Sequence, residues 1–232
     1  MARDTLTKEQ IVRTAIELLD EEGLEGLNMR SLGKRLGSAP TAVYWHVQNK
    51  DNLVRLAGDH VWDEIELPDH EAVGWRAAAM SMALGLYAML TRHSWLVPAF
   101  GTYFFYGPGK ARHDDHILAV YESAGFTGPE ADRAAATVFT FVLGNALGTS
   151  ANASLTRRIA REGGDAAETF QDTMAKAAEV ARQFPRLRAR IETPASGYTA
   201  APEQTFEFGL RALLDGLESE RTGGRAAGPG RE

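Results

Sequence analysis

Between residues 28 and 50 the chain carries four cations, Arg30, Lys34, Arg35 and Lys50, and no carboxylate. Hydroxyl, indole and imidazole groups stand among them at Thr41, Tyr44, Trp45 and His46. Guanidinium and ammonium groups bond phosphate oxygens with the help of charge, and neutral donors add to the grip. The chain as a whole is net −6 at pH 7, so this acid-free stretch is a local exception. DNA phosphates repel an acidic surface, and here that repulsion is absent. An arginine fork such as Arg30 can also read a guanine edge.

Other chemistry is thinly represented. His113-Asp114-Asp115-His116 places two imidazoles at i, i+3 on a helical face, a spacing that could hold a divalent ion. Acidic residues are also favoured near a helix start, which is the plainer explanation. No metal or other cofactor is expected. There is no cysteine, which excludes a thiol nucleophile, a disulfide framework and Cys-ligated zinc. No nucleophile–base pair or phosphate-binding loop stands out, so an enzyme is not expected. The polar start MARDTLTKEQ does not read as a secretory signal. No run of about 18 apolar residues is seen, so no membrane span is expected. The composition fits a cytoplasmic location.

The basic, aromatic stretch needs a scaffold. Leu32 and Leu36 lie on one side of a short helix, Gly37 breaks it, and a second short helix carries Tyr44–His46. Two short helices with a tight turn form a helix-turn-helix, with the second helix in the major groove. Thr7 with Gln10 makes a capping box for a preceding helix whose stripe is Ile11, Ala15, Leu18 and Leu19, ending at Gly23. Asn28, Ser38 and Asn49 are the expected caps of the next three helices, and Pro68 lies beyond the fourth. Helices are then expected over about 71–93, 110–124 and 129–153, with Asp165 capping another. A loop is expected over 185–201, and a final helix over 202–220 with Phe206, Leu210, Leu213, Leu214 and Leu217 at helical spacing. The Gly/Arg-rich residues 221–232 lack a hydrophobic pattern and read as a disordered tail. With no β alternation, the fold class is all-α: a helix-turn-helix domain over 1–50 and a larger helical domain over 51–220.

The segments TAIELLDEEGLEGL, RSLGKRLG and VYWHVQNKDNLV resemble the tetracycline repressor (TetR) family. Trp75, the ESAGF turn at 122–126 and FEFGLRALLDGLE at 206–218 resemble that family's tetracycline-repressor type of regulatory domain. The resemblance covers about residues 5–220. It implies a ligand-responsive regulator, most simply a repressor, that binds a palindromic double-stranded DNA operator as a homodimer. It implies base contacts from Ser38, Pro40, Thr41, Ala42 and Tyr44. Phosphate contacts follow for Tyr44, Trp45, His46 and Lys50, and a guanine or phosphate contact for Arg30. Ala42 departs from the family's frequent Thr, leaving Thr41 to supply a hydroxyl or methyl. The YWHV run is equally a pattern for aromatic core packing, and Val43 and Val47 are core on any reading.

Homodimerisation is expected through the last two long helices, where Gly144-x-x-x-Gly148 permits close helix approach; a tight contact within one chain explains the same spacing. Ligand-binding candidates are Met82, Leu86, Phe100, Tyr103, Phe104, Phe141, Asn145 and Thr149, an apolar set with a few polar atoms, as drug-sized ligands require. The same residues also suit an ordinary core. Asn145, set among apolar residues, needs a hydrogen-bond partner. His60 and His116 are further candidates, His60 equally a core histidine. The tetracycline repressor holds a drug–magnesium chelate through histidines after the fourth helix and after the long helix. Residues 62–66 and 98–102 contain none here, which implies a different effector. A DNA-binding regulator without any effector is the alternative.

Overall fold

A computed structural model describes residues 6–192 and 202–226. Among these the secondary structure is helical, and the first three helices build a small head. α1 (Lys8–Gly26) opens on the expected capping box, Thr7 accepting from the Gln10 N–H. It bends at Gly23, whose φ of 71° only glycine adopts at little cost, and then continues to Gly26. α2 (Met29–Arg35) is capped by Asn28. α3 (Pro40–Val47) starts on Pro40 with Ala39 at the cap position and no side-chain cap. Ser38, expected as that cap, instead donates its hydroxyl to the Leu36 carbonyl at 3.3 Å. Ile11, Leu18, Leu19, Leu32, Val43 and Val47 close the core of the head.

α4 (Lys50–His60) leaves the head and ends in a 3₁₀ turn, Val61–Glu64. The helix expected over 71–93 is two helices, α5 (His70–Val73) and α6 (Trp75–Arg92). Gly74 between them takes φ of 81°, which an α-helix cannot continue through. A short α7 (Leu96–Ala99) lies in the aromatic stretch. α8 (Pro108–Ser123) and α9 (Pro129–Arg161) each carry proline in the first turn, where its missing N–H costs nothing. α9 runs well past residue 153, because the following SLTRRIA contains no breaker. By length and composition it is apolar enough to cross a membrane, contrary to expectation. No charged residue separates Arg133 from Arg157, and small residues dilute the large apolar ones. α9 packs here against α6 and α8.

α10 (Ala166–Ala181) is capped by Asp165 as expected. α11 (Pro185–Glu192) replaces the first half of the expected loop: Pro185 starts a helix rather than preventing one. Residues 193–201 lie outside the described residues. α12 (Pro202–Ala226) continues past 220, which shortens the expected tail; residues 227–232 also lie outside the described residues. Phe206 anchors α12 on the body, with ring centroids 4.2 Å from Tyr87 and 5.6 Å from Phe141. A Cβ at Gly209 would come within 2.6 Å of the Phe141 ring, so glycine sets how closely α12 approaches α9.

Candidate DNA-binding face and ligand cavity

α2 and α3 are held together through Gly33. A Cβ there would lie 2.8 Å from the Ser38 carbonyl oxygen, so only glycine permits this turn. Gly37 supplies the positive φ of 58°. With Val43 and Val47 fully buried, Pro40, Thr41, Ala42, Tyr44 and Trp45 face outward and His46 is half-buried. Trp45 is 83% exposed, with its ring edge-on to His46 at 5.3 Å. That removes the core-packing explanation for this indole. Arg30 and Lys34 are exposed and have no carboxylate partner among the described residues. Arg35 bonds Glu21 of α1, and Lys50 donates to the Leu24 carbonyl at 2.8 Å. Both therefore have a structural task within the head.

Two sets of contacts bear on how α1 and α4 sit against the remaining helices, beside the ion pair of Arg161 on α9 with Glu25 on α1. The Asp59 carboxylate, on α4, accepts from the backbone N–H groups of Gly109 and Lys110 at 3.2 and 3.0 Å. It thus caps α8, where a negative charge is favoured. The approach depends on glycine: a Cβ on Gly109 would stand 2.3 Å from the Asp59 carbonyl oxygen. The second set centres on His93, only 3% exposed, whose Nδ1 lies 2.8 Å from Asp20 of α1 and Nε2 3.0 Å from Glu64. The Trp95 indole also donates to Asp20 at 2.8 Å. Burial opposes the charged imidazole, but the hydrogen bonds and charges of Asp20 and Glu64 outweigh it and raise the His93 pKa above its ordinary value.

A cavity of about 210 Å³ opens between α6, α8 and α9. Ala79, Met82, Ala83 and Leu86 line it from α6. Lys110, His113, Asp114 and Ile117 line it from α8, and Ala135, Ala136, Val138 and Phe139 from α9. Of the expected ligand residues, Met82 and Leu86 are in this wall. Phe100 stands behind it, its ring 5.8 Å from that of Phe139.

The other expected ligand residues are elsewhere. Tyr103 donates to Asp51 at 3.2 Å, on the head side. Phe104 is 79% exposed. Phe141 packs on Phe206. Asn145 donates to the Phe141 carbonyl at 2.8 Å, which gives it a partner within its own helix, and it does not line the cavity. Thr149 does not line the cavity. His60 is half-buried on a separate groove beside Asp59 and Arg112. His116 bonds the Pro68 carbonyl through Nε2 at 2.8 Å, which occupies that nitrogen. The paired-imidazole metal arrangement is therefore not formed, and no group of three metal-binding side chains occurs among the described residues. The α8 residues were missed, although Lys110, His113, Asp114 and Ile117 recur at i, i+3, i+4 and i+7. That stripe mixes polar and apolar residues, so it carries no plain amphipathic signal.

Residues 11–57 match the model of bacterial regulatory proteins of the tetR family, and residues 67–221 match the tetracyclin repressor-like C-terminal domain. The chain belongs to the TetR family. It is a transcriptional regulator with a helix-turn-helix, and its relatives are regulators rather than enzymes. An HTH-type transcriptional regulator of Saccharopolyspora erythraea is 34% identical over 60% of the chain, and the match spans 59% of that protein's length. The HTH-type transcriptional repressor DrrR1 of Streptomyces coeruleorubidus is 31% identical over 93% of this chain and 78% of its own. The crystal structure of the Streptomyces coelicolor TetR family protein ActR in complex with actinorhodin superposes with a TM-score of 0.73. The two are 28% identical, over 94% of this chain and 97% of ActR.

Proposed function

We propose that this TetR-family regulator is a repressor: a homodimer that binds a palindromic operator in the cytoplasm and is released by a small, largely apolar effector. The carrying observation is that Asp59 joins α4, which leaves the DNA-binding head, to the first turn of α8, which lines the cavity. A ligand wedged against α8 therefore displaces the cap on which α4 rests. Coupling requires that the ligand prefer the state in which the heads no longer fit the operator. The proposed division puts the head over 1–50 and the body over 51–220.

On the DNA side, Pro40, Thr41, Ala42, Tyr44 and Ser38 stand where a recognition helix meets base edges. Arg30 supplies a guanine or phosphate contact, Trp45 and His46 supply phosphate contacts, and Lys50 combines a phosphate contact with its bond to α1. On the ligand side, Met82 and Leu86 are joined by the α8 and α9 residues of the cavity. Small-molecule response is supported by ActR, which has been crystallised with actinorhodin. Tetracycline–magnesium remains excluded from the proposal by the missing histidines. Retardation of DNA flanking the protein's own coding sequence tests this reading. A shifted band that an organic extract of the source culture abolishes supports an effector-released repressor. A band that no extract alters favours a regulator without effector, and no band at all counts against the DNA assignment.

A further inference from the structure

The polar end of the cavity is organised by Asp114. The Lys110 ammonium bonds one oxygen of this carboxylate, and the Nδ1 of His113 lies 3.5 Å from the other. Burial works against the ionised carboxyl, yet the hydrogen bonds from His113 and Lys110 prevail and hold its pKa below the ordinary range. An ionised Asp114 accepts and does not donate. In the tautomer that carries its proton on Nδ1, the nitrogen on the Asp114 side, the imidazole leaves Nε2 as an acceptor. His113 is only 6% exposed and lines the cavity, and its Nε2 has no protein partner among the described residues.

Charge and shape narrow the ligand further. Lys110 is compensated by Asp114, so the cavity offers an acidic ligand no spare cation. Met82, Leu86 and Phe139 supply flat or flexible apolar walls. The Trp62 ring, which does not itself line the cavity, packs 4.9 Å from that of His113 and fixes the imidazole from behind. A ligand hydroxyl suits His113, because it donates its proton to Nε2.

We propose that His113 is the specificity-determining acceptor of this cavity, and that the ligand class is a neutral aromatic compound bearing a hydroxyl donor. The inference rests on the cavity being the effector site. The test is calorimetric titration of the full chain with 1-naphthol and with 1-methylnaphthalene, which has nearly the same shape and no donor. The expected result is about tenfold tighter binding of 1-naphthol, since a site with an unpaired polar group rejects the analogue that cannot satisfy it. His113→Phe is expected to bring the ratio close to one while 1-methylnaphthalene still binds. Asp114→Asn, which keeps the shape but releases the imidazole tautomer, is expected to lower the ratio, and carries the test should His113→Phe fail to fold. Equal affinities in the unaltered chain, or a ratio that survives both substitutions, overturns the role of His113 and leaves the cavity as a ligand site. Binding of neither compound overturns both.

Discussion

Trp45 spends apolar surface on solvent, which a head of this size has little reason to do unless another molecule covers it. Replacing it removes few intramolecular contacts. Trp45→Ala is therefore expected to change unfolding free energy by less than about 0.5 kcal/mol. It should weaken operator binding several-fold, read by fluorescence anisotropy alongside a denaturant melt. A loss of stability with unchanged affinity would assign the indole to the fold instead. Arg30→Ala is expected to weaken binding as well. If Arg30 bonds only phosphate, the loss is uniform across operator variants and the salt dependence becomes shallower; if it reads a guanine, the loss is confined to one base position. The residue types of this face were legible because local charge and exposed aromatics are written into consecutive positions. The tie of Lys50 to the Leu24 carbonyl was not, because it joins residues 26 apart in sequence.

Helix-scale features depend on how closely elements approach. Gly33→Ala places a methyl against the Ser38 carbonyl and is expected to cost about 1–3 kcal/mol, measured by chemical denaturation. Little change in the midpoint would show that the α2–α3 turn yields freely. The link between α1, α6 and the 3₁₀ turn makes a pH-dependent contribution. His93 faces Asp20 and Glu64, Glu64 also meets Arg92, and Arg157 of α9 lies near through Ser94. Because the folded His93 pKa is raised above 6.5, its stabilisation is complete below about pH 6.5 and is lost as pH rises through the folded value. Thermal melts over about pH 6 to 9 should show the unaltered chain losing its advantage over His93→Gln as pH rises. A constant difference would mean that the bonds matter but the charge does not.

Helix existence was legible from apolar spacing and caps, as Thr7, Asn28, Asn49 and Asp165 demonstrate. Boundaries were less so. Gly74 and Pro185 are each compatible with either a break or a start, and neighbouring packing decides between them. The cavity was the least legible feature, because its wall is shared by three helices far apart in sequence, and each contributes one stripe.

At the scale of the whole molecule, α9 and α12 leave apolar surface uncovered. Among the described residues, Gly144 and Gly148 have nothing within 4 Å of where a Cβ would stand, so no contact there explains the spacing. Leu147 between them is 59% exposed, and Phe208 on α12 is also exposed. A second copy packed on this face would bury them and fix the spacing of the two heads. Leu147→Glu combined with Gly148→Arg is expected to yield monomers by sedimentation and to abolish high-affinity operator binding. Dimers that persist would place the interface elsewhere.

The most direct test of the central claim is to incubate the full chain with fragmented DNA from its own source at moderate salt and sequence what it retains. A dimeric regulator of this geometry enriches a palindrome whose half-site centres lie about one helical turn, ~34–36 Å, apart. No enriched sequence, even at low salt where phosphate contacts are strongest, would contradict the assignment of the 28–50 face to specific DNA.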